Sequence, residues 1–181
     1  MNNTKEQIIT EALQYLNKNS GASFVDICSN LSVSRATAYR YFKDKDHLLY
    51  ETYEYCLEKI LEIINKYSKL DITNIEKFDG ILTDIVPLGN EFGFISAMYY
   101  DYYESENFDK YIKVENALSE LIDKLKKQGH IRDDLPTKWI VYTVYNLLHQ
   151  GWLYMYEGYT GSKLLPELIK TTLNIGIYKQ K

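Results

Sequence analysis

The chain has 181 residues, 45% of them hydrophobic and 25% charged, a composition that fits one or two globular domains and excludes large-scale disorder. Its formal net charge of −4 argues against nucleic acid as a partner when taken alone, because binding phosphate requires cations. Nine glycines and three prolines are too few for a β-sandwich or barrel of many tight turns, no apolar run approaches the roughly 18 residues of a membrane span, and the polar start carries no signal-peptide pattern, so a cytoplasmic chain is expected.

Ile8, Ala12, Leu13 and Leu16 recur at helical spacing and predict a first helix, with Thr4 and Gln7 spaced as a capping box at its start. Asn19-Ser20-Gly21 ends it. Ser23 is placed to cap a second, short helix with Phe24, Ile27, Cys28 and Leu31 on one side. Ser32-Val33-Ser34 turns the chain, and Ser34 caps a third helix, Arg35 to Phe42. There Ala38, Tyr39 and Phe42 fall on the inward side. Asp44 caps a fourth helix, whose apolar positions from Leu48 to Ile64 hold helical spacing to about Tyr67. Further helices are predicted from about Thr73 to Val86, from Phe94 to Tyr103 after a break at Pro87, Gly89 and Gly93, and from Phe108 to Lys127 before Gln128-Gly129. Thr137 is expected to cap a long apolar helix to about Glu157, and a last helix ends near Tyr178. The result is an all-α chain of about nine helices. Cys28 and Cys56 lie within apolar-periodic segments and read as buried free thiols in a reducing compartment.

Two short helices joined by about three residues have the proportions of a helix-turn-helix, whose second helix enters the DNA major groove while the first crosses the backbone. The charge agrees. Between Arg35 and Lys45 the cations Arg35, Arg40, Lys43 and Lys45 face one acid, Asp44, a local net of +3 that leaves −7 for the remainder. Thr37, Tyr39, Arg40 and Tyr41 offer hydroxyls and a guanidinium, and an arginine can read guanine with two hydrogen bonds while Ala36 or the Thr37 methyl touches a thymine methyl. Ser23, Ser34, Lys43 and Lys45 suit phosphate. The bland alternative is a solvated helix end.

The run Thr37-Ala38-Tyr39-Arg40-Tyr41-Phe42-Lys43-Asp44-Lys45, followed by Leu48-Leu49, closely resembles the recognition-helix signature of the tetracycline-repressor-like (TetR) family. Phe24 to Cys28 and Leu31 to Ser34 resemble the half before it, so the likeness spans about residues 5 to 50. A weaker echo, Gly129-His130-Ile131-Arg132-Asp133-Asp134-Leu135, resembles the family's linker before the penultimate helix. Ser32 departs from the glycine usual in the turn and is expected to cost a little stability; Cys28 replaces the usual alanine. The resemblance implies a three-helix DNA-binding domain over 1–46, a helical ligand-binding and dimerisation domain over 47–181, and a homodimer on a palindromic operator. It also implies a small-molecule effector that releases the DNA. A helical interaction protein or coactivator acting through a protein partner is the rival reading.

The helix from Thr137 is apolar on more than one side. Val141 and Leu148 on it, with Leu165, Leu168, Ile169, Thr172, Leu173 and Gly176 on the last helix, are the expected dimer interface. Ten of the eighteen tyrosines lie between Tyr99 and Tyr159. Tyr99, Tyr100, Tyr103, Tyr142, Tyr145, His149 and Trp152 are the expected ligand residues, since aromatic walls with hydroxyls suit flat, lipophilic or cationic molecules. Glu91, Asp101 and Glu104 could neutralise a cation. The same aromatics can instead be core. No nucleotide-binding glycine motif, nucleophile elbow or metal-ligand spacing is present, so no enzyme activity, metal or cofactor is expected.

Overall fold

The computed structural model describes residues 3–103 and 108–177. Nine α-helices form among them: α1 (Asn3–Leu16), α2 (Phe24–Ser29), α3 (Arg35–Tyr41), α4 (Lys45–Ser68), α5 (Asn74–Ile85), α6 (Gly89–Tyr102), α7 (Asp109–Lys127), α8 (Thr137–Tyr156) and α9 (Leu165–Gly176), with a 3-10 segment, Val86–Leu88, before α6. No described helix is long and apolar enough to cross a membrane. Two compact units divide the chain, Met1–Lys59 with Asn90–Lys110, and Ile60–Gly89 with Tyr111–Lys181.

In the first unit the predicted stripe of α1, Ile8, Ala12, Leu13 and Leu16, is buried with Ile27 and Cys28 of α2, Ala38 of α3 and Phe42, and Leu48, Tyr53, Cys56 and Leu57 of α4. Lys5 reaches Glu51 at 2.8 Å and Lys59 reaches Glu6 at 3.6 Å, tying α1 to α4 at its wetter edge. Asn17, just past α1, donates through Nδ2 to the carbonyl of Asn90 at 2.9 Å, which holds the start of α6 to α1. Thr4 lies inside α1, not at its cap, and the Gln7 amide goes to Ser32 and Glu11 instead of closing a capping box. The helix expected from Phe94 begins already at Gly89, so Gly93 sits within α6 and breaks nothing. The expected end of that helix near Glu104 lies outside the described residues.

In the second unit Phe78, Ile81, Leu82 and Ile85 of α5 pack in a core with Val114, Leu118, Ile122 and Leu125 of α7, Ile140, Val141, Val144, Leu148 and Trp152 of α8, and Leu165, Ile169 and Leu173 of α9. The buried Trp152 indole donates to the carbonyl of Val86 at 2.6 Å, fastening α8 to the 3-10 segment. Gly129 (φ +75°) and Gly158 (φ +86°) end α7 and α8 in the left-handed region. In each case the glycine N–H and the next N–H fold back on the last helical turn: Gly129 on Lys126, His130 on Leu125, Gly158 on Met155 and Tyr159 on Tyr154. Thr137 is not the cap of α8. Pro136 precedes the helix, and the Thr137 hydroxyl is engaged by Asp123 and Lys126. The end of α9 expected near Tyr178 lies beyond the described residues.

Gly80 sits under the Tyr67 ring, whose hydroxyl donates to Asp84 at 3.0 Å; a Cβ at Gly80 would stand 2.1 Å from that ring. Alanine at an ordinary helical glycine gains ~0.5–1 kcal/mol. Here the displaced ring outweighs that gain, and Gly80→Ala is expected to destabilise by about 1–2 kcal/mol, read as a lower thermal unfolding midpoint. A raised midpoint would contradict the close approach.

Candidate nucleic-acid interface and aromatic clusters

Seven residues are too few to hold α3 as an isolated helix, for which about 12–15 are marginal in water. Its conformation comes from two sources. Ser34 accepts from the Thr37 amide at 3.1 Å, and Ala38 and Phe42 are anchored in the core. With those inward, Arg35, Ala36, Tyr39 and Arg40 recur at i, i+1, i+4 and i+5 and share the exposed side of the helix, and Lys43, two residues past its end, is exposed as well. Tyr39, expected inward, is 48% exposed, with its ring packed edge-on against Phe24 of α2 at 4.9 Å between centroids. No local sequence signal shows that pair, 15 residues apart.

Several polar groups expected to touch DNA have intramolecular partners. Arg35 donates to the Ser29 hydroxyl at 2.5 Å, and Arg40 lies 5.4 Å from the Tyr41 ring centroid. The Ser34 and Thr37 hydroxyls are 2.9 Å apart; only one hydroxyl hydrogen is used between them, so the other stays available to a phosphate oxygen. Ser23 caps α2 with Asp26 in a reciprocal box: its backbone amide donates to the Asp26 carboxylate at 3.0 Å and its hydroxyl at 2.6 Å. Asp44 caps α4 by accepting from the His47 amide at 2.8 Å, with the exposed Lys43 ammonium 3.7 Å from its other oxygen. Lys45 is half-buried at the first turn of α4. The turn from α2 to α3 is tied back to α1, where the Glu11 carboxylate accepts from the Ser32 amide at 2.7 Å and from the Ser32 hydroxyl at 2.5 Å. Sequence reasoning misses this contact, because 21 residues separate the partners.

The expected ligand residues fall into two groups. In the first unit Tyr99 and Tyr103 pack on each other at 5.4 Å and on Phe108 at 5.7 and 5.4 Å, while Tyr100 is 86% exposed. Beside them Tyr102 lies 4.6 Å from Tyr53, whose fully buried hydroxyl has no hydrogen-bond partner. Burial, then the neighbouring Asp101, pushes the Tyr102 hydroxyl up to about 12, and burial pushes Tyr53 higher. Glu91 of α6 is half-buried, and that desolvation raises its carboxyl despite the nearby Lys59. In the second unit the Tyr142 hydroxyl donates to the Glu115 carboxylate at 3.4 Å, which Lys138 also holds at 3.0 Å. Tyr145 and His149 are half-buried on α8, and Trp152 is engaged with Val86. Of the expected interface, Val141, Leu148, Leu165, Ile169 and Leu173 are buried within the chain itself. Leu168, Thr172 and Gly176 form an outward stripe at i, i+4 and i+8. Leu168 and Thr172 border a 370 Å3 groove completed by Leu147, Leu153 and Tyr154 of α8. A second groove of 610 Å3, lined by Ile63, Lys66, Asp84, Pro87 and Lys163, contains none of the expected ligand residues. Among the described residues no His, Cys, Asp and Glu cluster could hold a metal.

No protein-family model and no curated protein matches the sequence. Solved structures do match. The TetR-like transcriptional regulator LfrR from Mycobacterium smegmatis, in complex with proflavine, superposes with a TM-score of 0.79 at 18% identity, over 98% of this chain and 97% of that one. The ketosteroid transcriptional regulator KstR2 of Mycobacterium tuberculosis gives 0.73 at 14%, over 99% and 97%. A Saccharomonospora viridis protein solved in complex with choline gives 0.69 at 15%, over 99% and 100%. The fold is that of the TetR-like transcriptional regulators. At these identities the likeness is one of architecture.

Two carboxylates brace this region. The Ser23 hydroxyl and amide hold the Asp26 carboxyl below its ordinary value of 3.8. Partial burial pushes Glu11 up, but the Ser32 hydroxyl and amide, with Gln7, outweigh it and leave the carboxyl below its ordinary 4.5. Both folded values are depressed, so the stability they add is complete above the ordinary values and is lost as the pH falls through the folded ones. The thermal midpoint is expected to drop between about pH 5 and pH 3, with a shallower drop in Asp26→Asn. Identical profiles would show that the capping carboxylate contributes nothing.

Proposed function

We propose that the chain is a ligand-responsive transcriptional regulator, a repressor that binds a palindromic operator as a homodimer and leaves it when a small lipophilic, aromatic or cationic effector binds. The observation that carries this reading is the exposed side of α3. There two guanidiniums, a phenol and a methyl share one face of a core-anchored helix, the Lys43 ammonium follows just past its end, and the one acid between Arg35 and Lys45 is occupied as the α4 cap. Guanidiniums supply base-edge recognition, and Lys43, Lys45, Ser23, Ser34 and Thr37 supply phosphate contacts. The outward stripe of α9 and its groove support a second copy as the partner across α8 and α9, with Leu168 and Thr172 meeting their symmetry mates. The tyrosine cluster of α4 and α6, with the half-buried Glu91 on α6, supports a cationic or aromatic effector. The fold relatives solved with proflavine and choline, both positively charged molecules, lean the same way. An enzyme or a cofactor plays no part in this reading.

Selection of duplexes from a random-sequence pool tests it. The enriched sequence is expected to be an inverted repeat bound by two chains, with half-sites about one helical turn apart, and proflavine is expected to weaken that complex. Arg40→Ala and Tyr39→Ala are each expected to cost about 1–3 kcal/mol of affinity for the selected duplex, roughly 5- to 150-fold, with the oligomeric state unchanged. Enrichment of no sequence at low salt would leave the rival, a protein-binding helical module, as the better account.

A further inference from the structure

The helix-turn-helix is steered from outside itself. Asn30 to Ser34 connect α2 and α3, and the direction of the recognition helix depends on the conformation of these few residues. Ser32 stands in the middle of the turn with two donors, its amide and its hydroxyl. Both point at one residue of α1: Glu11 Oε2 takes the amide at 2.7 Å and Oε1 takes the hydroxyl at 2.5 Å. Gln7, one turn earlier on α1, donates through Nε2 to the Ser32 hydroxyl oxygen at 2.7 Å and to Glu11 Oε1 at 3.2 Å, closing a ring of four hydrogen bonds. Ile8, Ile9, Ala12 and Leu13 sink α1 into the core around this ring, so its α1 side is a rigid post.

We infer that Glu11 is a positioning residue for DNA reading: its carboxylate clamps the α2–α3 turn through both donors of Ser32 and thereby sets the angle at which Arg35, Tyr39 and Arg40 meet the groove. This rests on the DNA-binding reading above. The requirement for a carboxylate follows from counting. Two donors on Ser32 need two acceptor oxygens in a fork, which a carboxylate has and a carboxamide lacks. A serine at this point of the turn, where the resemblance leads one to expect glycine, therefore brings the second donor that makes the acid necessary. The predicted effect also opposes simple electrostatics. Removing a negative charge near a DNA-binding face strengthens binding to phosphates, whereas loss of the clamp weakens recognition of sequence.

The test compares wild type, Glu11→Gln, Ser32→Gly and the double variant on two probes, the duplex that the wild-type chain selects from a random pool and an unrelated duplex of equal length. Glu11→Gln is expected to lose about tenfold in affinity for the selected duplex and to bind the unrelated duplex as well as wild type or more tightly. Its Ser32 amide is expected to exchange with solvent faster than in wild type. In the Ser32→Gly background only the amide donor remains, one carboxamide oxygen suffices, and the same change is expected to cost less than about threefold. Ser32→Gly alone, which keeps Glu11 and the amide, is expected to fold and to read the selected duplex. Unchanged affinity of Glu11→Gln for the selected duplex, an equal loss on both probes, or an equal loss in both backgrounds would each overturn the clamp. Failure of the wild-type chain to select any duplex would overturn the DNA-binding reading first and the clamp with it.

Discussion

A helix of seven residues does not persist in water unless something else holds it, and the proposed reading surface is built on one. The burial of Ala38 and Phe42 is the constraint on which the rest depends. Those two side chains fix the rotation of α3 about its axis, and that rotation determines that Arg35, Ala36, Tyr39 and Arg40 are exposed. Caps and braces refine the placement: Ser34 at the start, Phe24 beneath Tyr39, Ser29 beside Arg35, and the Glu11–Ser32 contact behind the turn.

The charge distribution follows the same logic. A chain of net charge −4 does not repel DNA uniformly when its cations gather on the face that α3 and the start of α4 expose. Three acids around this segment accept from the protein's own amides: Asp26 from Ser23, Asp44 from His47, Glu11 from Ser32. Each thereby satisfies helix-terminal or turn donors.

The tyrosines divide by what surrounds them. Tyr53 and Tyr102 are close-packed on α4 and α6, and Tyr99 and Tyr103 pack on Phe108. Tyr142 is held by the buried Glu115, which the exposed Lys138 also pairs, and Tyr154 stacks on Tyr159 at 5.1 Å on the outward side of α8. A single abundance in the sequence thus serves core packing, an ion-pair anchor and an outward apolar surface. Trp152 likewise fastens the 3-10 segment to α8.

The sequence by itself determined the helices, the proportions of the helix-turn-helix and the basic island within an acidic chain. Those features are written in spacings of three and four residues and in caps such as Ser23, Ser34 and Asp44, which act on amides a few positions away. Only the tertiary structure decided which side of α8 and α9 is core. Val141, Leu148, Leu165, Ile169 and Leu173, expected at a dimer interface, are buried in the chain itself, and Leu168, Thr172 and Gly176 face outward. A helix apolar nearly all round has no periodicity from which to choose. It also decided that Gln7 leaves the cap of α1 for Ser32, that Thr137 turns from capping α8 to Asp123, and that Glu11 meets a turn 21 residues away. Such partners are brought together by the burial of whole helix faces, and no local pattern of residues carries that information.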